Sequence, residues 1–332
     1  MNRILHIGVI LILLLSACSH LVEDADGIMY GEPIRFSPQV SISSRNLTLN
    51  SLYGREFGVR GYIYDKNSDW ETKRSTQKPD SKWLNTRISC SDIGVCTYAP
   101  VQKWNSAMRY SFFAYYPYTE NSGGEVTLSS TNVEDVPFAT YTFNNQAFSR
   151  FDRLYDFMIA NVIDVTDQYT SYVQLTFKHC LFAVNFVVNN LNEASTTIDD
   201  FIFKVNDIEF NKISVAMDGS EMVATNTKGG DIVATYDYLN SSMVIPSTLN
   251  SSPYNISENK ALMFIPQKGL TGNISITLHG GTPQIVPFNY SGKSFEAGYS
   301  YIFSVQISGN DVGVELLQES EWNTFDNFIE FE

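Results

Sequence analysis

The chain has 332 residues, a formal net charge of -14, 43% hydrophobic residues and only 17% charged ones. This balance argues against docking on nucleic acid or on anionic lipid by charge, because both need clustered Lys and Arg. Aromatics make up 14%, with 19 Tyr and 22 Phe, and together with Val, Ile and Thr they favour strands over helices.

The chain opens on a secretory signal. Asn2 and Arg3 precede an apolar run over residues 4–15, broken only by His6 and Gly8. The run is shorter than the roughly 20 residues that span a bilayer, and it ends in Leu15-Ser16-Ala17-Cys18. Small residues leading straight into a cysteine match the bacterial lipobox, in which the thiol is acylated and the chain is cut before it. Residues 1–17 are thus expected to be removed, leaving Cys18 as the lipid-bearing first residue, acylated with palmitate. The remainder is long enough for about two domains of ~150 residues.

Residues 21–32 are polar and acidic, with Glu23, Asp24, Asp26 and Glu32, and read as a flexible tether. A clean alternation follows. Ile34, Phe36, Val40 and Ile42 face one way, while Arg35, Ser37, Gln39 and Ser41 face the other, which is a half-buried strand. Pro38 falls on its apolar face and cannot donate to a ladder, so the strand belongs at a sheet edge. Arg45, set among Ser43, Ser44 and Asn46, comes directly after it as an exposed cation.

Residues 66–82 form a long polar, loop-like stretch, and Cys90 and Cys96 flank a short segment containing Gly94. In an oxidising envelope these two close a small disulfide; otherwise they are two separate thiols. Residues 110–117 are apolar on both faces and predict a central, doubly covered strand. The polar patch Thr166-Asp167-Gln168 marks the expected domain boundary, giving an N-terminal domain over 46–169 and a C-terminal one over 170–332. Val173, Leu175 and Phe177 alternate with polar residues to open the second half, and Ser308-Gly309-Asn310-Asp311 signals a hairpin. Cys180 reads as a small buried hydrophobe. Long apolar repeats at helical spacing are missing, so the expected fold is all-β, with two β-sandwich domains in tandem.

Signatures of catalysis are thin. The sequence holds no Gly-x-Ser-x-Gly elbow and no Cys/His pair at metal spacing. Gly292-Lys293-Ser294 ends like a phosphate loop, but Pro287 stands where its first Gly belongs, so a hairpin turn is expected. His179 reads as a satisfied strand histidine. No catalytic residue, metal site or cofactor is expected. Trp70, Trp83 and Trp104, together with many of the tyrosines, form either a sugar-stacking platform or part of the core.

Taken in order, the lipobox, the short strand ending near Arg45, residues 110–117, residues 175–181, residues 301–314 and Trp322 resemble the fimbrillin family of gut and oral Bacteroidota. The resemblance runs from about Ile34 to Trp322. It implies two transthyretin-like β-sandwiches, exported as lipoproteins to the outer membrane and polymerised into surface type V pili. In that family an Arg-specific protease removes an N-terminal strand, and a neighbouring subunit's strand fills the groove. Carried over residue by residue, the removable strand is Ile34, Phe36, Val40 and Ile42, and the cut lies at Arg45-Asn46. Phe325, Ile329 and Phe331 share one face at period two, making residues 323–332 a candidate donor strand, unless the tail packs on its own domain. The implied partners are other fimbrial subunits, the outer membrane through the lipid, and a host or bacterial surface ligand. A surface glycan-binding lipoprotein is the alternative reading.

Overall fold

The computed structural model describes residues 22–23, 29–40, 52–119, 126–130, 135–143, 156–166, 172–229, 232–239, 241–257 and 261–321. Within them the fold is all-β, with a single helical turn at Trp70–Lys73. Asp69 caps that turn, its Oδ1 accepting from the Thr72 amide at 2.8 Å.

Seven strands form the first sheet, in the order Phe36–Val40, Val173–His179, Met158–Val165, Met108–Tyr116, Glu56–Asp65, Thr86–Cys90 and Cys96–Thr97. Met108–Tyr116 lies at its centre and is buried on both faces from Tyr110 onward, as its unbroken apolar run requires. Alternate residues serve two cores. Tyr110, Phe112, Ala114 and Tyr116 face one cluster with Phe57, Leu175 and Trp104. Phe113 and Tyr115 face a second cluster, which also takes in Tyr141, Val215 and the C-terminal strands. A four-stranded sheet lies within reach of this second core: Met222–Thr225, Lys212–Ala216, Phe138–Thr142 and Val126–Leu128.

Two five-stranded sheets hold most of the C-terminal strands. One is built around Phe182–Asn190, Tyr299–Ser308 and Asp311–Glu321, the other around Thr196–Ile208, Thr271–Leu278 and Gln284–Asn289. Their inner faces meet through aromatic rings. Phe203 stacks on Phe288 at 5.3 Å and meets Phe303 at 5.9 Å, while Phe186 packs against Phe201 and Phe203. The turn at Gly309 and Asn310 joins Tyr299–Ser308 to Asp311–Glu321, with Gly309 at φ 62°, where a residue without a side chain costs least.

Two expectations change here. Val173–His179, expected to open the C-terminal half, is instead the second strand of the seven-stranded sheet, pairing with Met158–Val165 and Phe36–Val40. Its apolar side chains belong to the core that holds Phe36 and Phe112. In sequence, the expected boundary therefore lies between two strands that pair with each other, and the chain passes to the next sheet at Cys180 and Leu181. Met29–Pro33, read as tether, forms a strand with Val22–Glu23 and Lys103–Asn105. Backbone pairing ordered this segment despite its polar composition, which carried no period-two signal.

A guanidinium is buried in this body. Arg60, 3% exposed, donates from Nε to the Leu84 carbonyl at 3.0 Å and from Nη1 to the Ser129 carbonyl at 2.9 Å. Burial lowers its pKa, and the two carbonyls compensate for lost water.

Phe112 is fully buried at the heart of the first core. Phe112→Ala should cost about 3–5 kcal/mol in urea unfolding, whereas Ile285→Ala, at a side chain 68% exposed, should stay within about 0.5 kcal/mol.

Candidate functional site

The most distinctive local arrangement is the seat of the N-terminal segment. Among the described residues, Phe36–Val40 is an outermost strand of the seven-stranded sheet, bonded on one side only, in parallel, to Val173–His179. The register sets Phe36 beside Val173, Pro38 beside Leu175 and Val40 beside Phe177. An edge is where Pro38 is tolerated, since an N–H is not needed on the outer side.

The period-two pattern is realised in burial. Ile34 and Phe36 are 1% exposed and Val40 is 4% exposed. Phe36 meets three rings edge-on or obliquely: Phe112 at 5.2 Å, Trp83 at 5.7 Å and Tyr98 at 5.9 Å. Gly61 makes room for this packing, because a Cβ there would stand 2.8 Å from that of Trp83. Backbone bonds hold both flanks of Arg35: the Ile34 amide donates to the Gln102 carbonyl at 2.9 Å, and the Arg35 carbonyl accepts from Val173 at 2.7 Å. Tyr98 adds a clamp, its hydroxyl donating to the Ile34 carbonyl at 2.8 Å. Burial pushes the Tyr98 phenol up to about 12, so it remains a donor through ordinary pH.

The segment thus acts as a plug, filling an apolar slot lined by Val173, Leu175, Phe177, Phe112, Trp83 and Leu52. Each of Ile34, Phe36 and Val40 is worth roughly 1.5–3 kcal/mol when fully buried. Its withdrawal would leave both an apolar slot and an unpaired strand edge, a combination that templates another strand.

Several expected site residues lie outside the described residues: Cys18, Ile42, Arg45, Asn46, Phe325, Ile329 and Phe331. Cys90 and Cys96 are joined as a disulfide, with Cα atoms 4.0 Å apart, and close the far edge of the same sheet. Cys180 is a buried thiol, its pKa raised by burial. Trp70, Trp83 and Trp104, the proposed sugar platform, are 3%, 0% and 1% exposed. They are core residues, and buried rings offer a saccharide no face. His179 is buried, with Nδ1 2.5 Å from Asp156 Oδ2, at the point where the first sheet hands over to the next. Among the described residues no group of three or more His, Cys, Asp or Glu could hold a metal ion.

Tyr98 and the strand Val173–His179 are the functional elements that sequence reading missed. Tyr98 carried no signal, since it sits in a turn-rich stretch 64 residues from the carbonyl it binds. The apolar alternation of Val173, Leu175 and Phe177 was visible, but not its partner.

A family model described as Fimbrillin-like matches residues 56–321. In fold, the chain is similar to a fimbrial protein from Bacteroides vulgatus, at 17% identity over 88% of this chain and 100% of that one, with a TM-score of 0.59. It is also similar to candidate cell adhesion proteins from Bacteroides ovatus (13% identity, 89% and 99% covered, TM-score 0.57) and Bacteroides uniformis (16%, 90% and 99%, TM-score 0.51). At these identities the likeness is one of fold. No curated protein matches the chain.

The clamp has a defined pH sign. Because the Tyr98 phenol rises from 10.0 to about 12 on folding, its contribution is intact below pH 10 and is lost as pH climbs from 10 to 12. Tyr98→Phe should make alkaline destabilisation shallower over that window and speed amide exchange at Ile34 and Arg35 at neutral pH, read by hydrogen-exchange mass spectrometry.

Proposed function

The chain belongs to the fimbrillin-like family, and on that premise we propose that it is a structural subunit of a cell-surface fimbria of the type V pilus kind, contributing to adhesion. In this reading the precursor is exported as an outer-membrane lipoprotein through Cys18. An Arg-specific protease cuts at Arg45-Asn46, the strand carrying Ile34, Phe36, Val40 and Ile42 leaves, and a neighbour's strand takes its place.

One observation carries the reading. A short N-terminal strand, paired on one side only, buries Ile34, Phe36 and Val40 in a slot that belongs to the rest of the body. A segment of that kind is separable without unravelling the sheet behind it, because the floor strand keeps its antiparallel partner Met158–Val165. The tail over residues 323–332, with Phe325, Ile329 and Phe331 at period two, is the proposed donor. It repeats the apolar spacing that the slot accepts from Phe36 and Val40. The division into domains over 46–169 and 170–332 is retained only as a description of two sandwich-forming halves, since the strand pairing crosses it. A glycan-binding lipoprotein acting through Trp70, Trp83 and Trp104 loses its platform to burial.

Two measurements test the proposal. Treating the purified full chain with an Arg-specific protease should produce a new N-terminus at Asn46 and ladders of oligomers. Arg45→Ala should block the trimming, and deletion of residues 323–332 should suppress the ladders. A trimmed chain that stays monomeric at high concentration would refute assembly by strand exchange. Separately, Cys18→Ala should abolish labelling by palmitate and leave the precursor uncut; a labelled, membrane-bound variant would refute the lipid anchor.

A further inference from the structure

Two open concavities flank one aromatic side chain, Tyr118, and the larger also borders the plug's clamp, Tyr98. The larger, of about 670 Å³, is lined by Lys82, Asn85, Thr86, Arg87, Thr97 and Tyr118 among others. The smaller, of about 410 Å³, is lined by Arg55, Glu56, Tyr116, Pro117, Tyr118 and Thr119 together with Gly54. Tyr118 lines both and is only partly buried, so the two concavities meet at this residue. Both volumes lie within the range of small-molecule sites.

The cleft is unusual in charge. In a chain of net charge -14, the ionisable residues lining it are three cations, Arg55, Lys82 and Arg87, against one anion, Glu56. Arg87 is held in place from two sides. Its Nη2 lies 2.5 Å from Glu56 Oε1, and its guanidinium carbon stands 5.7 Å from the Tyr118 ring centroid. Ser89 also donates to Glu56 Oε1, at 3.0 Å. These contacts hold the Glu56 carboxyl below the usual carboxylate range, so it stays charged and keeps the guanidinium aligned. The Arg87 side chain is nonetheless 51% exposed. A planar donor fork is thus fixed beside an aromatic ring, within a wall of amide and hydroxyl groups from Asn85, Thr86 and Thr97.

We propose that this cleft binds a carboxylated saccharide. The face of Tyr118 suits the C–H side of a pyranose, Arg87 matches a carboxylate in two-pronged fashion, and Lys82 and Arg55 supply further positive charge. The polar wall suits sugar hydroxyls and offers no deep apolar pocket for a peptide anchor. An uncharged sugar would forgo the guanidinium, which remains bonded to Glu56. The site sits beside the margin formed by Thr86–Cys90 and Cys96–Thr97 and borders the plug's clamp through Tyr98, so it is tested on the untrimmed chain.

The test is titration of the untrimmed chain with sodium D-glucuronate and with N-acetylneuraminate, using methyl glucoside as the uncharged control. Saturation-transfer NMR and calorimetry would be run at about 150 mM salt, where the Debye length is about 8 Å and diffuse attraction is screened. At least one of the two acids should bind about tenfold more tightly than methyl glucoside, a difference expected for one satisfied charged contact. Tyr118→Leu removes the ring face while keeping bulk, and Arg87→Lys keeps the charge but loses the fork. Each should weaken binding about tenfold, while the melting temperature confirms a folded chain. The proposal is overturned if neither acid gives saturation transfer, if the uncharged sugar binds as well as the acids, or if either folded variant binds like the parent.

Discussion

One constraint underlies the first half of the molecule: the apolar face of the seven-stranded sheet has to be covered, and among the described residues no complete second sheet covers it. Phe57, Phe112, Leu175 and Phe177 present a face that water would penalise by roughly 25 cal/mol for each Å² exposed. The cover is assembled from pieces: Trp83 and Trp104, Leu52, the small sheet containing Met29–Pro33, and the strand Phe36–Val40. A cover built from separate segments can lose one and keep the rest, whereas a sheet-on-sheet sandwich is harder to open in parts. The aromatic content of the chain follows from this. Trp83, Tyr98 and Phe112 surround Phe36, because large rings fill an irregular interface with fewer side chains than aliphatic residues would need.

The opposite face of the same sheet works differently. Phe113 and Tyr115 belong to a core that continues without a break into the C-terminal strands. The hand-over runs through Val173–His179, Cys180 and Leu181 into Phe182–Asn190. The buried His179–Asp156 contact and the Cys180 amide bonded to the Phe157 carbonyl at 2.8 Å both sit at this junction. The floor of the plug's slot is therefore tied directly to the rest of the protein, while the plug itself is tied by side-chain burial, one ladder and the bonds of Ile34 to Gln102 and Tyr98.

Local patterns were legible in the sequence, and distant pairings were not. The alternation of Ile34, Phe36 and Val40 identified a half-buried strand, and Pro38 identified its place at an edge. The doubly apolar residues 110–117 identified the central strand, and Gly309 with Asn310 identified the last hairpin. Each of these signals is contained within about ten residues. By contrast, Val173, Leu175 and Phe177 carried the right alternation but were assigned to the wrong sheet. Their partners in Phe36–Val40 lie more than a hundred positions away, and period two says which residues share a face without saying what covers it. The tryptophans stayed open between core and platform for a related reason, since composition alone does not separate a buried ring from an exposed one. The Arg87, Glu56 and Tyr118 cluster left no sequence signal, because strand pairing and loop closure bring together three residues with no shared spacing.

The two margins of the seven-stranded sheet are unlike. One is Phe36–Val40, apolar on its inner side and joined to the body through a single ladder. The other is Cys96–Thr97, two residues long, fastened to Cys90 by a disulfide and followed inward by the cation Arg87. Short, fastened and charged margins resist pairing with a foreign strand. If the plug's margin is the one that opens, each subunit has one acceptor on this sheet and no competing one. A chain of such subunits lengthens along a single line, with every member pointing the same way and no branch point.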